Sequence, residues 1–395
     1  MLKNHVIKFL VNLNINRYDK IYVGYSGGLD STVLLDILYK YKREKVFPIH
    51  IDHNIKFYSQ VCKTHCKNFV KKFDQNLFLK DIKKLDINVK CLESKFRIAR
   101  YRSFSQFLLK KNAILILAHH EQDLVETYLF RLFKGGGYNG LSSIKPVSNI
   151  FGLKCVRPLL IFSKKEIYKY AIFNKLYWCE DPTNNNTLIA RNYIRYKILK
   201  SISKFWPSSQ KSISRSVRLM QAQNTIFYKF IKKILIDVKG KDVNTLNIKK
   251  LLNFDINVQI ILVRSWLNIN KIIMPTLNQI NHIYVEIILS NNNTNAIFYT
   301  NNILVKKYNN NLYLLKKKKY SKKYYNFKTR NFFTNILKKY SIYNETKYQN
   351  SIKLKFKTFT RNIKKYMQKK NIPPWKRKFI PLIFNKNNFI NLLCK

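Results

Sequence analysis

The 395-residue sequence predicts an α/β fold: an N-terminal parallel sheet with helices on both faces, then a small, mainly helical domain and a small C-terminal α+β domain. Three observations carry this. Apolar runs of strand length, 21–25, 46–52 and 113–118, alternate with longer segments of helical spacing. The run 113–118, Ala-Ile-Leu-Ile-Leu-Ala, lacks polar alternation, as befits a strand covered on both faces. Each run also ends in residues suited to a ligand: Ser26-Gly27-Gly28, Asp52-His53 and His119-His120. Ligands of open parallel sheets lie past the carboxyl ends of the strands, so the three ends are expected to share one crevice.

In chain order, residues 1–18 read as a leading helix, followed by strand 21–25, the glycine loop and a helix over 32–38. Strand 46–52, helix 58–73, a short strand at 76–79 and an arginine-rich helix over 93–111 come next. Strand 113–118 leads to helix 122–134, which Gly135-Gly136-Gly137 stops. Helices are expected at 164–174, 190–200 and 212–235, with a loop at 178–186. The composition divides the chain into an N-terminal α/β domain (1–215), a middle helical domain with some strand at 296–314 (216–315), a basic linker beginning in Lys316-Lys317-Lys318-Lys319 (316–347) and a C-terminal domain (348–395) with strand-like alternation at 351–359.

The glycine loop carries the first chemistry. In Ser26-Gly27-Gly28-Leu29-Asp30-Ser31, between strand and helix, glycines let the backbone approach an anion, and the amides opening the helix point at it. Ser26, Ser31 and Thr32 add hydroxyls. Asp30 repels a phosphate unless a cation lies between, so the loop points to a magnesium-bound polyphosphate with Asp30 as the metal ligand. No Gly-Lys-Ser/Thr follows, so it is not a Walker A loop.

Lys and Arg number 75 against 20 Asp and Glu, a formal charge of +55. A polyanionic partner accounts for part of this. Scarce Gly (9) and abundant Lys, Asn, Ile, Tyr and Phe look like a genome drifting toward A and T, which accounts for another part. The six cysteines include no Cys-x-x-Cys, and Cys62-Lys-Thr-His65-Cys66 lacks a second pair to complete a metal site. Reduced thiols in the cytoplasm are expected, with no signal peptide and no apolar run of membrane-spanning length.

The loop resembles the Ser-Gly-Gly-x-Asp-Ser pyrophosphate loop of ATP pyrophosphatases. A second constellation narrows the resemblance. His119-His120-Glu121-Gln122-Asp123-Leu124-Val125-Glu126-Thr127 resembles the His-x-x-Asp-x-x-Glu-Thr helix start of tRNA(Ile)-lysidine synthetases. Glu93-x-x-x-Arg97-x-x-Arg100-Tyr101, Arg131 with Gly135, Gly137, Gly140 and Leu141, Arg157-Pro158-Leu159, Trp178, Asp181, Asn184 and Arg191-Asn192-x-x-Arg195 follow that family's segments in order. Ile372-Pro373-Pro374-Trp375 with Arg377, Pro381 and Leu382 resembles the last domain of its longer, enterobacterial-type members. The likeness is strong over the N-terminal half and weak over 216–350. Two departures stand out: Gln122 and Leu124 flank Asp123 where Asp and Gln are usual, and Asn54 replaces a glycine.

The resemblance implies that ATP activates the wobble cytidine of the CAU-anticodon isoleucine tRNA at C2, and that free L-lysine attacks through its ε-amine, releasing AMP. ATP and Mg2+ are then the cofactors, and a monomer or a homodimer is open. Ser26, Gly27, Gly28, Leu29, Asp30 and Ser31, with Asp52 and His53 at the rim, are expected to hold ATP. The lysine ammonium needs an acidic cage and a base. Asp123 and Glu126, three apart on one helix face and three and six beyond His120, supply it. Arg97 and Arg100 face either the phosphates or the tRNA backbone, and Arg191 and Arg195 either tRNA or the active site. Trp375 either packs the last domain or stacks on the acceptor stem. Rival readings are a cytidine-thiolating enzyme, which would want cysteine pairs, an amidating NAD or GMP synthetase, which would not need the basic C-terminal domains, and a non-catalytic RNA-binding protein, against which the intact loop and acidic pair weigh.

Overall fold

The computed structural model describes residues 1–52, 57–81, 92–108, 112–180, 185–240, 244–270, 272, 274–290, 297–300, 303–316, 352–355, 361–377, 382–385 and 388–392. His53, Asn54, Asp181, Asn184 and the lysine-rich segment 317–347 lie outside them. The chain divides into two compact units, Met1–Phe227 and Tyr228–Lys395.

The first unit is α/β. Its strands are β1 (Lys20–Gly24), β2 (Val46–Asp52), β3 (Phe78–Asp81), β4 (Ala113–Ile116), β5 (Val147–Ile150) and β6 (Leu153–Val156), in the sheet order β3-β2-β1-β4-β6-β5. All are parallel to their neighbours except β5, which pairs antiparallel with β6 at the edge. The chain passes from β1 to β2 on one side, and β4 joins β1 on the other, which makes β1/β4 the switch point where a crevice opens.

Side-chain alternation builds two cores. Ile21, Val23, Ile114 and Ile116 enter one, with α1 (Leu2–Asn12), α2 (Leu29–Lys42), α3 (Phe57–Lys71) and α7 (Lys164–Phe173). Tyr22, Leu115 and Leu117 enter the other, beneath α4 (Leu92–Leu108). Helix α2 is buried from Ser31 to Tyr39. Its one internal carboxylate, Asp36, is satisfied by the Tyr170 hydroxyl and by Lys40 Nζ, each at 2.8 Å.

The expected elements recur with shifted ends. The leading helix stops at Asn12, before left-handed Asn14. The short strand sits at Phe78–Asp81 rather than 76–79, and the long helix α10 starts at Ser209 and runs to Asp237. The β5–β6 hairpin was not expected. Its two-residue turn, Phe151-Gly152, has both φ angles positive (51° and 86°), a hairpin geometry that Asn-Gly or Asp-Gly usually announces. The helix expected at 190–200 is α8 (Ala190–Tyr193), a π-helical turn over Ile194–Ile198 and α9 (Leu199–Phe205).

The second unit holds a four-stranded antiparallel sheet of strands Thr245–Asn247, Asn311–Lys316, Ile303–Tyr308 and Ile297–Thr300, with α12 (Ile256–Ile269) in a core around Trp266, Leu262 and Ile283. A three-stranded antiparallel sheet joins Ile352–Lys355, Leu382–Asn385 and Asn388–Leu392. Trp375 packs edge-on against Tyr308 and Tyr313. Among the described residues no helix is long and apolar enough to cross a membrane.

Candidate active site

The loop leaving β1 turns at Gly27, whose φ of +85° suits glycine alone and whose missing Cβ would stand 2.8 Å from Cys66 Sγ. Ser31 Oγ donates to the Gly28 carbonyl at 2.9 Å, Thr32 Oγ1 donates to the same oxygen at 3.0 Å, and Ser26 Oγ lies 3.1 Å from Ser31 Oγ. These hydroxyls shape the turn. No side chain caps α2, whose N-cap is Gly28, so its leading amides are left for a ligand.

Asp30 follows in the first turn of α2. Its Oδ1 is buried without a hydrogen-bond partner, and Oδ2 lies 3.6 Å from His120 Nε2. Burial raises its pKa, as does Asp123, while His120 pulls it down. A buried, unsatisfied carboxylate oxygen beside free helix amides fits a cation brought in with phosphate oxygens, since magnesium usually needs one or two protein carboxylates. Among the described residues no group of three or more acidic, histidine or cysteine side chains could hold a metal without such help.

Across the switch point, β4 ends at Ile116, and the chain runs through His119-His120 into α5 (Glu121–Leu132). His120 caps α5: its Nδ1 accepts from the Gln122 amide at 3.2 Å, and its own amide donates to Asp123 Oδ2 at 3.0 Å. An accepting Nδ1 leaves the proton on Nε2, facing Asp30 and, at 3.8 Å, Asp123. Burial pushes Asp123 upward, but His120, His119, the His120 amide and Arg191 outweigh it and hold the carboxyl at about 2.

One turn further, Glu126 is fully buried and clamped: Arg195 Nε donates to Oε1 at 2.6 Å and Nη2 to Oε2 at 3.0 Å. Burial still leaves Glu126 above the usual carboxylate range, despite Arg195. Arg195 Nη2 also stands 4.0 Å from Asp123 Oδ1, and Arg191 Nη2 donates to Thr127 Oγ1 at 2.8 Å. The helical run after Ile189 thus delivers two guanidiniums to the acidic face of α5.

Helix α4 adds Arg97 and Arg100 beside the Tyr101 ring, at 5.6 and 5.9 Å. Burial depresses Arg97, and Arg191, Arg100 and Arg157 depress it further against Tyr101. An anion would relieve this gathering of like charges. Asp52, fully buried at the end of β2, meets Lys63 Nζ at 3.5 Å. His53 lies outside the described residues. Asp30, His120, Asp123, Glu126, Arg97, Arg191 and Arg195 therefore form one connected group, as their contacts and mutual charge effects show. Trp178 packs against the main core.

The sequence placed His119 beside His120 at a strand end facing the crevice but gave it no role of its own. Its Nδ1 is buried without a partner, and burial lowers its pKa well below the usual value, with Asp123 opposing and Arg157, Arg97 and Arg100 adding. Its neighbour in the motif drew the attention, and only three-dimensional placement separates the two.

Residues 2–202 match the PP-loop domain family, and residues 343–392 match the TilS substrate C-terminal domain family. The tRNA(Ile)-lysidine synthase of Buchnera aphidicola subsp. Schizaphis graminum is 32% identical over 418 residues, covering 96% of this chain and 90% of that protein. The chain belongs to the tRNA(Ile)-lysidine synthase family. The tRNA(Ile)-lysidine synthase of Buchnera aphidicola subsp. Acyrthosiphon pisum is also 32% identical, over 94% of this chain and 89% of its own length. Among solved structures, the U34-tRNA thiolase NcsA from Methanococcus maripaludis is 17% identical, with a TM-score of 0.48, covering 56% of this chain and 78% of that chain. As a tRNA(Ile)-lysidine synthase family member, the protein is an ATP-using PP-loop enzyme that forms a carbon–nitrogen bond.

Proposed function

We propose that this site joins the ε-amine of free lysine to C2 of the wobble cytidine in the CAU anticodon of tRNA(Ile), through an adenylated cytidine. The observation that carries the reading is the facing of Asp30 and Asp123 across His120, which sets a phosphate-and-cation position against an anionic position for an amine. Magnesium on Asp30, when bound, would draw charge from the departing pyrophosphate. The amides of Gly28 to Ser31 would hold that pyrophosphate, with Asp52 and His53 at the rim. Arg97 and Arg100 would meet the α-phosphate or the incoming RNA.

Asp123, ionised down to about 2, suits the ammonium of lysine as a counter-ion but is a weak base. Glu126 binds protons more tightly because it is buried, and it is assigned here as the acceptor of the amine proton once Arg195 turns toward the substrate. His120 keeps Asp30 and Asp123 apart and fixed. Loss of the proton frees the amine lone pair to attack C2, and AMP departs with the former carbonyl oxygen.

For tRNA, Tyr193, Tyr196, Lys197, Lys200 and Lys204 line a groove of about 550 Å3 on the same helical run as Arg191 and Arg195. Lysines with interleaved tyrosines suit a phosphate backbone and an unstacked base. The division of the chain into 1–215 catalytic, 216–315 substrate-binding, 316–347 linker and 348–395 tRNA-binding segments is part of the proposal, as are a cytoplasmic location and a possible homodimer. Incubation with labelled lysine, ATP and CAU-anticodon tRNA(Ile) should place label in the tRNA. Label absent from the isoleucine tRNA, or entering methionine tRNA equally, would refute the substrate assignment.

A further inference from the structure

The anion-binding turn rests on sulfur. Cys62 on α3 and Cys179 in the segment after α7 are 117 positions apart in the chain, and their sulfurs stand 2.9 Å from each other. Both are reduced and half-buried. Cys179 also donates its backbone N–H to the Gly27 carbonyl at 2.8 Å, and its own carbonyl would lie 3.9 Å from a Cβ on Gly28. Its position is therefore linked to both glycines of the turn. The Cys62 carbonyl lies 3.8 Å from the Cβ position of Gly27, so the turn sits between the two thiol-bearing segments.

Cys66, one helical turn beyond Cys62, is different. It is fully buried under Gly27, and burial, with Cys62 and Cys179 adding, pushes its thiol far up. It stays a neutral packing group, because the thiolate is the reactive form. These thiols, with His50 and His65, form no metal-ligand set.

We propose that Cys62 and Cys179 are a reversible thiol pair that a peroxide-class oxidant closes to a disulfide, and that closure holds the Cys179 segment across the Gly27–Gly28 turn and slows ATP use. One sulfur, as thiolate, attacks a peroxide oxygen; the O–O bond breaks, giving a sulfenic acid and, after protonation, water. The second sulfur attacks the sulfenic sulfur; the S–O bond breaks and a second water leaves. The two sulfurs lose two electrons and two protons, and the peroxide gains them. The sulfurs have about 0.9 Å to travel, from 2.9 Å to a bond of about 2.05 Å. The Gly28 amide donates to Ser26 Oγ at 3.4 Å and must turn to meet a phosphate, and a cross-linked neighbour hydrogen-bonded to Gly27 resists that turn.

The test uses the full chain. Protein treated with hydrogen peroxide, alkylated and digested without reductant is expected to yield a peptide linked through Cys62 and Cys179, lost on adding dithiothreitol. Oxidation should lower ATP-dependent turnover several-fold in the native sequence, dithiothreitol should restore it, and Cys62→Ala and Cys179→Ala proteins should keep their turnover through the same treatment. Absence of the linked peptide, pairing of either residue with Cys66, Cys91, Cys155 or Cys394 instead, or an equal loss in Cys62→Ala overturns the proposal. The dithiothreitol arm uses unsubstituted protein, so a variant that fails to fold does not protect the idea. The peptide map is blind to which base is modified, so it stands or falls apart from the assignment of the reaction.

Discussion

Asp123 and Glu126 share a helix face and divide the work. Asp123, held at about 2 against an ordinary carboxyl value of 3.8, is worth on the order of 2 kcal/mol to the fold at neutral pH. Because its folded pKa is depressed, that stability is present above the unfolded value and is lost as pH falls from about 4 through about 2. Asp123→Asn is expected to remove this acid dependence, seen in urea midpoints measured between pH 2 and 6, and to raise the KM for lysine much more than that for ATP. Glu126→Gln should instead lower kcat, at little cost in lysine KM. Glu126→Ala should cost about 1–3 kcal/mol, because the partly buried Arg195 guanidinium loses both of its bonds to the carboxylate and keeps only Asp123 at 4.0 Å. An Asp123→Asn enzyme with unchanged lysine KM would remove it from the amine site. At this scale the sequence showed much: the spacing of His120, Asp123 and Glu126 on one face was readable from helical period alone. The Arg195 clamp was not, because its partner lies 69 residues away and nothing local records which arginine folds back. Nor was the Cys62–Cys179 approach, for the same reason at greater distance.

Among elements, the β5–β6 hairpin shows what local signals miss. Val147–Ile150 and Leu153–Val156 are each four residues, too short for a period to stand out, and Phe151 occupies a left-handed turn position where asparagine or aspartate is usual. The hairpin completes the sheet beside β4, and β6 leads into Arg157, whose Nη1 donates to the Lys145 carbonyl at 2.9 Å and to Ser148 Oγ at 2.8 Å. Gly152, with φ of +86°, is the weak point: Gly152→Val should cost about 1–2 kcal/mol through backbone strain. It should lower the thermal midpoint while leaving the KM for ATP within about twofold, since the turn lies away from the loop after β1. By contrast, β1, β2 and β4 were legible because they are strands with apolar side chains on both faces of the sheet, a pattern that survives a biased composition. The π-helical turn at Ile194–Ile198 had no such signature, since a single extra residue in a helix leaves the apolar period almost unchanged.

For the molecule as a whole, the charge of +55 implies strong but salt-sensitive attachment to RNA. Between about 50 and 200 mM salt, tRNA affinity should fall on the order of a thousandfold if six or more phosphates are neutralised, while ATP binding to the loop changes little. Gel-shift and ATP-binding titrations across that range check both. Replacing Lys197, Lys200 and Lys204 with glutamate should flatten the slope, and an unchanged slope would remove the groove from the tRNA path. Deleting 321–395, which contains the match at 343–392, should weaken tRNA binding far more than ATP binding. Equal losses would sink that division of labour. The capping of α5 has a consequence at the same scale. One oxygen of Asp123 fastens the start of a helix, and the other stands 4.0 Å from the Arg195 guanidinium, beside the place assigned to the amino acid. Whatever loosens that first turn blurs the enzyme's grip on its smallest substrate, and the central sheet need not notice. Warming should therefore extinguish lysine transfer several degrees before circular dichroism registers any melting, and saturating lysine should narrow the gap.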